Sequence, residues 1–209
     1  MWILFYTYNF FIEILFPKSC FTCKKKDTII CRTCLNNFSR ALTTPDLFIY
    51  SYFSYKDEKV KNILHSIKYY HRKDLIPALV NATIFEYLKL KTENCVLIPI
   101  PMHPFRKMIR GYNQAEIITK EYSQILNIPY STKILYRTKL TVRQVASKSK
   151  NERIKNQKGS FQIKNFVKNL NQTIILIDDV STTGATINEA RNIFLKNSFK
   201  NVIAITLAH

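Results

Sequence analysis

Residues 174–186, IILIDDVSTTGAT, constrain the fold of this chain more than any other stretch. Four apolar residues in a row, with no polar alternation, read as a strand buried on both faces, the kind found inside parallel sheets. The strand, predicted over 173–178, runs straight into Asp178 and Asp179. Then come Ser181, Thr182, Thr183, Gly184, Ala185 and Thr186, and a helix predicted over 185–196. In open α/β sheets such strand ends are where ligands sit.

The rest of the chain supplies the partners that such a strand needs. CVLIPI (95–100) and NVIAITLA (201–208) are further short apolar strands, and LFIYSYFSY (47–55) is a β-branched and aromatic run. Val60, Ile63, Leu64 and Ile67 follow helical spacing, and further helices are predicted over 74–90 and 113–125. The expected class is α/β, a parallel sheet flanked by helices. A change of character near Thr43, Thr44 and Pro45 predicts two parts, an N-terminal cysteine module over 1–44 and the sheet domain over 45–209.

The cysteine module carries Cys20 and Cys23 in CFTC and Cys31 and Cys34 in CRTC. Paired C-x-x-C knuckles hold a tetrahedral zinc ion, and four sulfur ligands leave no position for water, so the metal would be structural. Two disulfides are the alternative. The absence of a recognisable secretory signal argues for a reducing, cytoplasmic setting instead. Cys95 opens an apolar run and reads as a small buried hydrophobe. The apolar stretch 2–16 contains Asn9 and Glu13 and is shorter than the roughly 20 residues that span hydrocarbon. It is expected to pack against protein or to lie peripherally at the inner membrane, not to span it.

With 32 Lys+Arg against 14 Asp+Glu, a net charge of +18, the expected partners are anionic. The only glycines are Gly111, Gly159 and Gly184, which excludes both the dinucleotide-binding glycine pattern and the P-loop. What remains is a loop whose hydroxyls and amides can surround one phosphate ahead of a helix N-terminus, with Gly184 allowing close approach. Carboxylates would repel that phosphate, so Asp178 and Asp179 should serve paired hydroxyl donors beside it. The inferred ligand is a ribose with a 5′-phosphate.

This stretch resembles the signature of the type I phosphoribosyltransferases. The resemblance implies that Asp178 and Asp179 hold the ribose hydroxyls of phosphoribosyl diphosphate (PRPP), while Ser181, Thr182, Thr183, Gly184, Ala185 and Thr186 cradle its 5′-phosphate. PIPMHPFRKMIRGYNQAE (99–116) supplies Arg106, Lys107 and Arg110 near a helix start, suited to the diphosphate. Its proline-rich exit, Arg-Gly, aromatic and Asn-Gln resemble the ComF family, phosphoribosyltransferase-like proteins linked to competence and DNA uptake. LFPKSCFTC with CRTC resembles that family's N-terminal zinc ribbon, HSIKYYHRKDL (including Lys68) its Lys-Tyr helix, and RQVASKSKNERIKNQKGSF its basic loop. One departure stands in that loop: Gln144 leads into Val-Ala-Ser where a leucine is expected.

The resemblance implies two functions. In the first, PRPP binds with Mg2+, diphosphate departs through an oxocarbenium-like state, and charge placement by Asp178, Asp179 and a basic loop residue lowers the barrier. Arg143 leads the candidates for that loop residue, with Lys148 and Arg153 behind it. In the second, the chain is a non-catalytic module that binds single-stranded DNA, a competence helicase or another DNA-uptake protein. Between 137 and 168 ten basic residues face a single acid, Glu152, which fits a diphosphate lid, a nucleic-acid track or a solvated loop.

Overall fold

The computed structural model describes residues 18–41, 46–88, 94–138, 159–164 and 172–209. The chain divides into two compact units, one ending at Phe38 and the other beginning at Ser39. Ser39 and Ala41 belong with the second unit because the Ala41 amide donates to Tyr52 O (2.9 Å) and the Ser54 amide to Ser39 O (2.7 Å).

In the first unit the described part is a cysteine-bearing loop followed by the short helix α1 (Arg32–Asn36). The loop is held by Cys20 N–H to Lys25 O (2.8 Å) and Phe21 N–H to Ile29 O (2.9 Å).

The second unit is built on β1 (Ile49–Phe53), β2 (Cys95–Pro99), β5 (Thr173–Val180) and β6 (Val202–Ala208). They form one sheet in the order β1-β6-β5-β2 with every pairing parallel. Helices α2 (Glu58–Tyr69) and α3 (Ile76–Tyr87), with a 3-10 turn at Lys73–Leu75 between them, carry the chain from β1 to β2 at the far edge. Pro77 sits in the first turn of α3, where its missing N–H leaves no bond unmade. After β2 come α4 (Pro104–Arg110) and α5 (Gln114–Leu126), and α6 (Ala185–Lys196) joins β5 to β6.

A hairpin of β3 (Leu135–Arg137) and β4 (Phe161–Ile163) is not legible in the sequence, because each strand is only three residues long. Three further boundaries differ from expectation. β5 runs two residues beyond the expected end, so both aspartates lie within the strand. The stretch expected to be one helix over 74–90 is a 3-10 turn and α3. Arg106, Lys107 and Arg110 ride on their own short helix, which ends where Gly111 takes φ 78° before Asn113 caps α5.

Strand alternation splits the core. Val96, Ile98, Ile174, Leu176, Val202 and Ala204 face one side and pack with Ile187, Ala190 and Phe194 of α6 and with Leu135 and Phe161 of the hairpin. Leu97, Ile175 and Ile177 face the other side, where α5 buries Ala115, Ile118, Tyr122 and Leu126 against β5 and β2. There the Tyr122 hydroxyl meets Thr83 Oγ1 at 2.5 Å, and the Tyr87 hydroxyl donates to Thr206 O at 2.9 Å. No helix among the described residues is long and apolar enough to cross a membrane. The stretch 2–16 lies outside them.

Candidate functional site

The two aspartates stand at the C-terminal end of a central strand, and alternation sends their side chains to opposite faces of the sheet. Asp178 continues the row Ile174–Leu176 toward the face covered by α6 and the hairpin. Asp179 continues Ile175–Ile177 toward α2, where Lys68 Nζ reaches its Oδ2 at 2.7 Å. Both partners of this ion pair are largely shielded, with 15% and 13% of their side chains exposed. Lys68 thus lies against Asp179, its position fixed by the last turn of α2.

Burial raises the Asp178 carboxyl to about 7, and the Asp179 charge pushes in the same direction. The Asp179 amide, which donates to Asp178 Oδ1 at 2.9 Å, opposes this, as do Lys68 and Arg137. Arg137 follows Leu135 on the inward side of β3, the same side as Asp178, and lies 5.1 Å from the Phe161 ring. Burial and then nearby Arg106 hold Arg137 below its ordinary value, while Asp178 pulls it up.

After β5 the chain turns sharply. Ser181 N–H completes the sheet by donating to Ala208 O (3.0 Å), and His209 Nδ1 donates to Ser181 O (2.6 Å). The Ser181 hydroxyl is buried with no hydrogen-bond partner among the described residues. Gly184 takes φ 71°, and a Cβ there would lie 2.7 Å from Asp46 Oδ2 and 3.0 Å from Asn188 Nδ2, two groups that bond each other at 2.7 Å. Only glycine satisfies both the backbone angle and the contact. Thr183 Oγ1 accepts from Ala185 N–H at 3.4 Å, Thr182 is exposed, and Thr186 is half-buried in the first turn of α6.

On the β2 side, the Ile100 amide donates to Ile177 O (2.8 Å), and Asn113 Nδ2 donates to Ile100 O (3.0 Å). Arg110 donates to Gln114 Oε1 at 2.9 Å and stands 5.3 Å from the Tyr69 ring, whereas Lys107 is engaged by Glu116 at 2.9 Å. The Tyr112 hydroxyl donates to Ile67 O, next to Lys68. In the sequence Gln114 and Tyr112 carry no assigned role and Arg137 counts only among the loop cations; the structure buries Gln114 and Tyr112 and sets Arg137 on the side of Asp178. Arg143, Lys148 and Arg153 lie outside the described residues.

The four cysteines of the first unit have sulfurs that all lie within 4.8 Å of one another, with Cys23 and Cys31 at 3.6 Å. Sulfurs around one zinc at about 2.3 Å are roughly 3.8 Å apart, so the residues fit the ion. None of the five cysteines is in a disulfide. Cys20 Sγ accepts from Cys31 N–H at 3.3 Å, and Cys31 Sγ from Cys34 N–H at 3.5 Å, bonds that favour thiolates. At Cys20 burial acts upward, but backbone bonds from Cys23, Cys31 and Thr22 bring the thiol down to about 6. Burial and the neighbouring sulfurs push Cys34 up to about 12.

No family model matches the chain. Among curated proteins it is 37% identical over 103 residues to competence protein F of Haemophilus influenzae, covering 48% of this chain and 44% of that one. It is 29% identical over 159 residues to competence protein ComFC of Bacillus subtilis, 75% of this chain and 62% of that one. With the DNA utilization protein YhgH of Escherichia coli it shares 26% over 140 residues, 65% and 60% of the two chains. The chain spans from about half to under two thirds of the length of these relatives. Among solved structures, a hypoxanthine phosphoribosyltransferase from Staphylococcus aureus superposes with TM-score 0.39 at 14% identity over 65% of this chain and 63% of that one. An adenine phosphoribosyltransferase from Trypanosoma brucei gives 0.40 at 12% over 81% and 86%. The sequence matches, together with a four-cysteine cluster ahead of a parallel α/β domain, make the chain similar to the ComF proteins competence protein F, ComFC and YhgH.

Proposed function

We propose that the C-terminal end of β5 is a PRPP-binding site and that the protein serves DNA uptake in natural transformation, as the names of its relatives suggest. The observation that carries the reading is the division of labour along 178–186: two acids, then a tight turn with a buried hydroxyl and a glycine at φ 71° opening onto a twelve-residue helix. The turn and helix N-terminus suit a 5′-phosphate. The acids suit the hydroxyls of the attached sugar. Arg106 and Arg110 flank them on the β2 side, where a diphosphate would extend.

In this reading Lys68 offsets the negative charge of the acids in the absence of sugar and turns toward a phosphate oxygen when sugar binds. Asp178 and Asp179 are the oxygen donors that fit Mg2+, which would arrive with the diphosphate and offset its charge as it departs. The cysteine cluster would hold structural zinc.

As an enzyme the protein is a phosphoribosyltransferase whose acceptor the site does not name. The second reading, a non-catalytic module for single-stranded DNA or a DNA-uptake partner such as a helicase, is favoured by the exposed Tyr69 and Tyr70 beside His65, with ring centroids 4.5 and 5.7 Å away. Calorimetric titration of PRPP with Mg2+ tests the site: binding by the wild type and its loss in Asp179→Ala support it, and no binding by the wild type removes it. Diphosphate release with candidate acceptors then separates enzyme from module.

A further inference from the structure

His209 follows β6 directly, and its backbone is held by the end of β1. Its N–H donates to Phe53 O (3.0 Å), and its carbonyl accepts from Tyr55 N–H (2.7 Å). Its side chain turns toward the end of β5, where Nδ1 stands 2.6 Å from Ser181 O. A carbonyl oxygen only accepts, so Nδ1 carries the proton in this bond.

Ser181 is the residue at which the chain leaves β5 for the turn suited to phosphate. Its N–H is bound to Ala208 O at 3.0 Å, so with the imidazole in place both of its backbone groups are taken. Ser181 is 3% exposed, which leaves little room for water to replace the ring. The Ser181 carbonyl shares a peptide plane with the Thr182 N–H, and in a trans peptide the two point in opposite directions. A bond that fixes the carbonyl therefore fixes the direction of that N–H. The amides of Thr182, Thr183 and Gly184 have no acceptor among the described residues, so an anion can take them.

We propose that His209 is a positioning residue for the bound phosphate: its imidazole pins the peptide between Ser181 and Thr182 and aims the Thr182 N–H at a phosphate oxygen. The inference rests on the ribose-phosphate reading of the site and adds to it a residue remote in sequence from the stretch 178–186.

The test is calorimetric titration of wild type, His209→Phe and His209→Asn with ribose 5-phosphate and, separately, with inorganic diphosphate and Mg2+. Thermal melting is followed in parallel. His209→Phe keeps the ring and removes the donor. Its affinity for ribose 5-phosphate should fall by about tenfold, the usual effect of losing one well-aimed donor to a charged oxygen. His209→Asn puts an NH2 group near the position of Nδ1 and should restore binding to within about threefold of the wild type. Diphosphate, suited to the β2 side, should bind all of these proteins alike. The tautomer is read in the wild type itself, where long-range 1H-15N spectra of the imidazole should show Nδ1 protonated; a bare Nδ1 overturns the inference whether or not the variants fold. It is also overturned if His209→Phe binds ribose 5-phosphate within about twofold of the wild type, if His209→Asn restores nothing, or if both probes weaken together, which would mark a purely structural residue. Wild type that does not bind ribose 5-phosphate refutes the underlying site; wild type that binds it, with His209→Phe unaffected, refutes only the role of His209.

Discussion

The Asp178 carboxyl, raised to about 7, makes a quantitative prediction about stability. Its ordinary value is 3.8, so the folded state holds a proton there over a pH range in which the unfolded chain has lost it. Stability contributed by this group is therefore greatest in acid and declines as pH rises through that window. A difference of about three units, at about 1.4 kcal/mol each, sets an upper bound of about 4 kcal/mol on the cost of ionised Asp178 to the fold. Asp178→Asn removes the charge, and its side-chain oxygen can still accept from the Asp179 amide. The variant should gain less than about 1 kcal/mol near pH 4 and up to about 4 kcal/mol near pH 8, equivalent to roughly 10 °C in melting temperature for a chain of this length. Urea unfolding of both proteins across that range measures the difference directly. A variant less stable than the wild type near pH 8, or a difference that does not grow with pH, would refute the reasoning. The same substitution should weaken PRPP binding, because a residue that destabilises the fold while serving the ligand is the usual form of a trade between stability and function.

Gly184→Ala should cost about 1–3 kcal/mol, since the new Cβ meets Asp46 Oδ2 at 2.7 Å with the backbone at φ 71°, and ribose 5-phosphate binding should weaken with it. Protein purified without chelator should carry about one zinc per chain; Cys31→Ser should abolish that zinc, with 1H-15N spectra showing the change concentrated in residues 18–38.

Much of this site can be read from the sequence because its parts are local. Ile174 to Ile177 announce a buried strand by composition alone, and Ser181 to Thr186 are contiguous, so strand, turn and helix follow from one stretch. The opposed directions of Asp178 and Asp179 also follow, once the strand is known to continue through Val180. What depends on tertiary placement is hidden. Arg137 looks like one more cation in a basic stretch until Leu135 and Phe161 join the core and turn it toward Asp178. Three-residue strands carry too little pattern to reveal the hairpin that does this. Gln114 reads as an ordinary polar residue at a helix start, and only the fold shows it buried with its oxygen held by Arg110. Lys68 was legible through the family's Lys-Tyr segment, but its ion pair with Asp179 requires α2 to lie against the end of β5.

The central claim is that the two carboxylates read vicinal hydroxyls beside a bound phosphate. Comparing the dissociation constants of ribose 5-phosphate and 2-deoxyribose 5-phosphate tests it most directly. Loss of one hydroxyl donor to a shielded carboxylate should weaken binding by about tenfold or more, and Asp178→Asn with Asp179→Asn should narrow the gap. Equal affinities of the wild type for the two sugars would contradict the account.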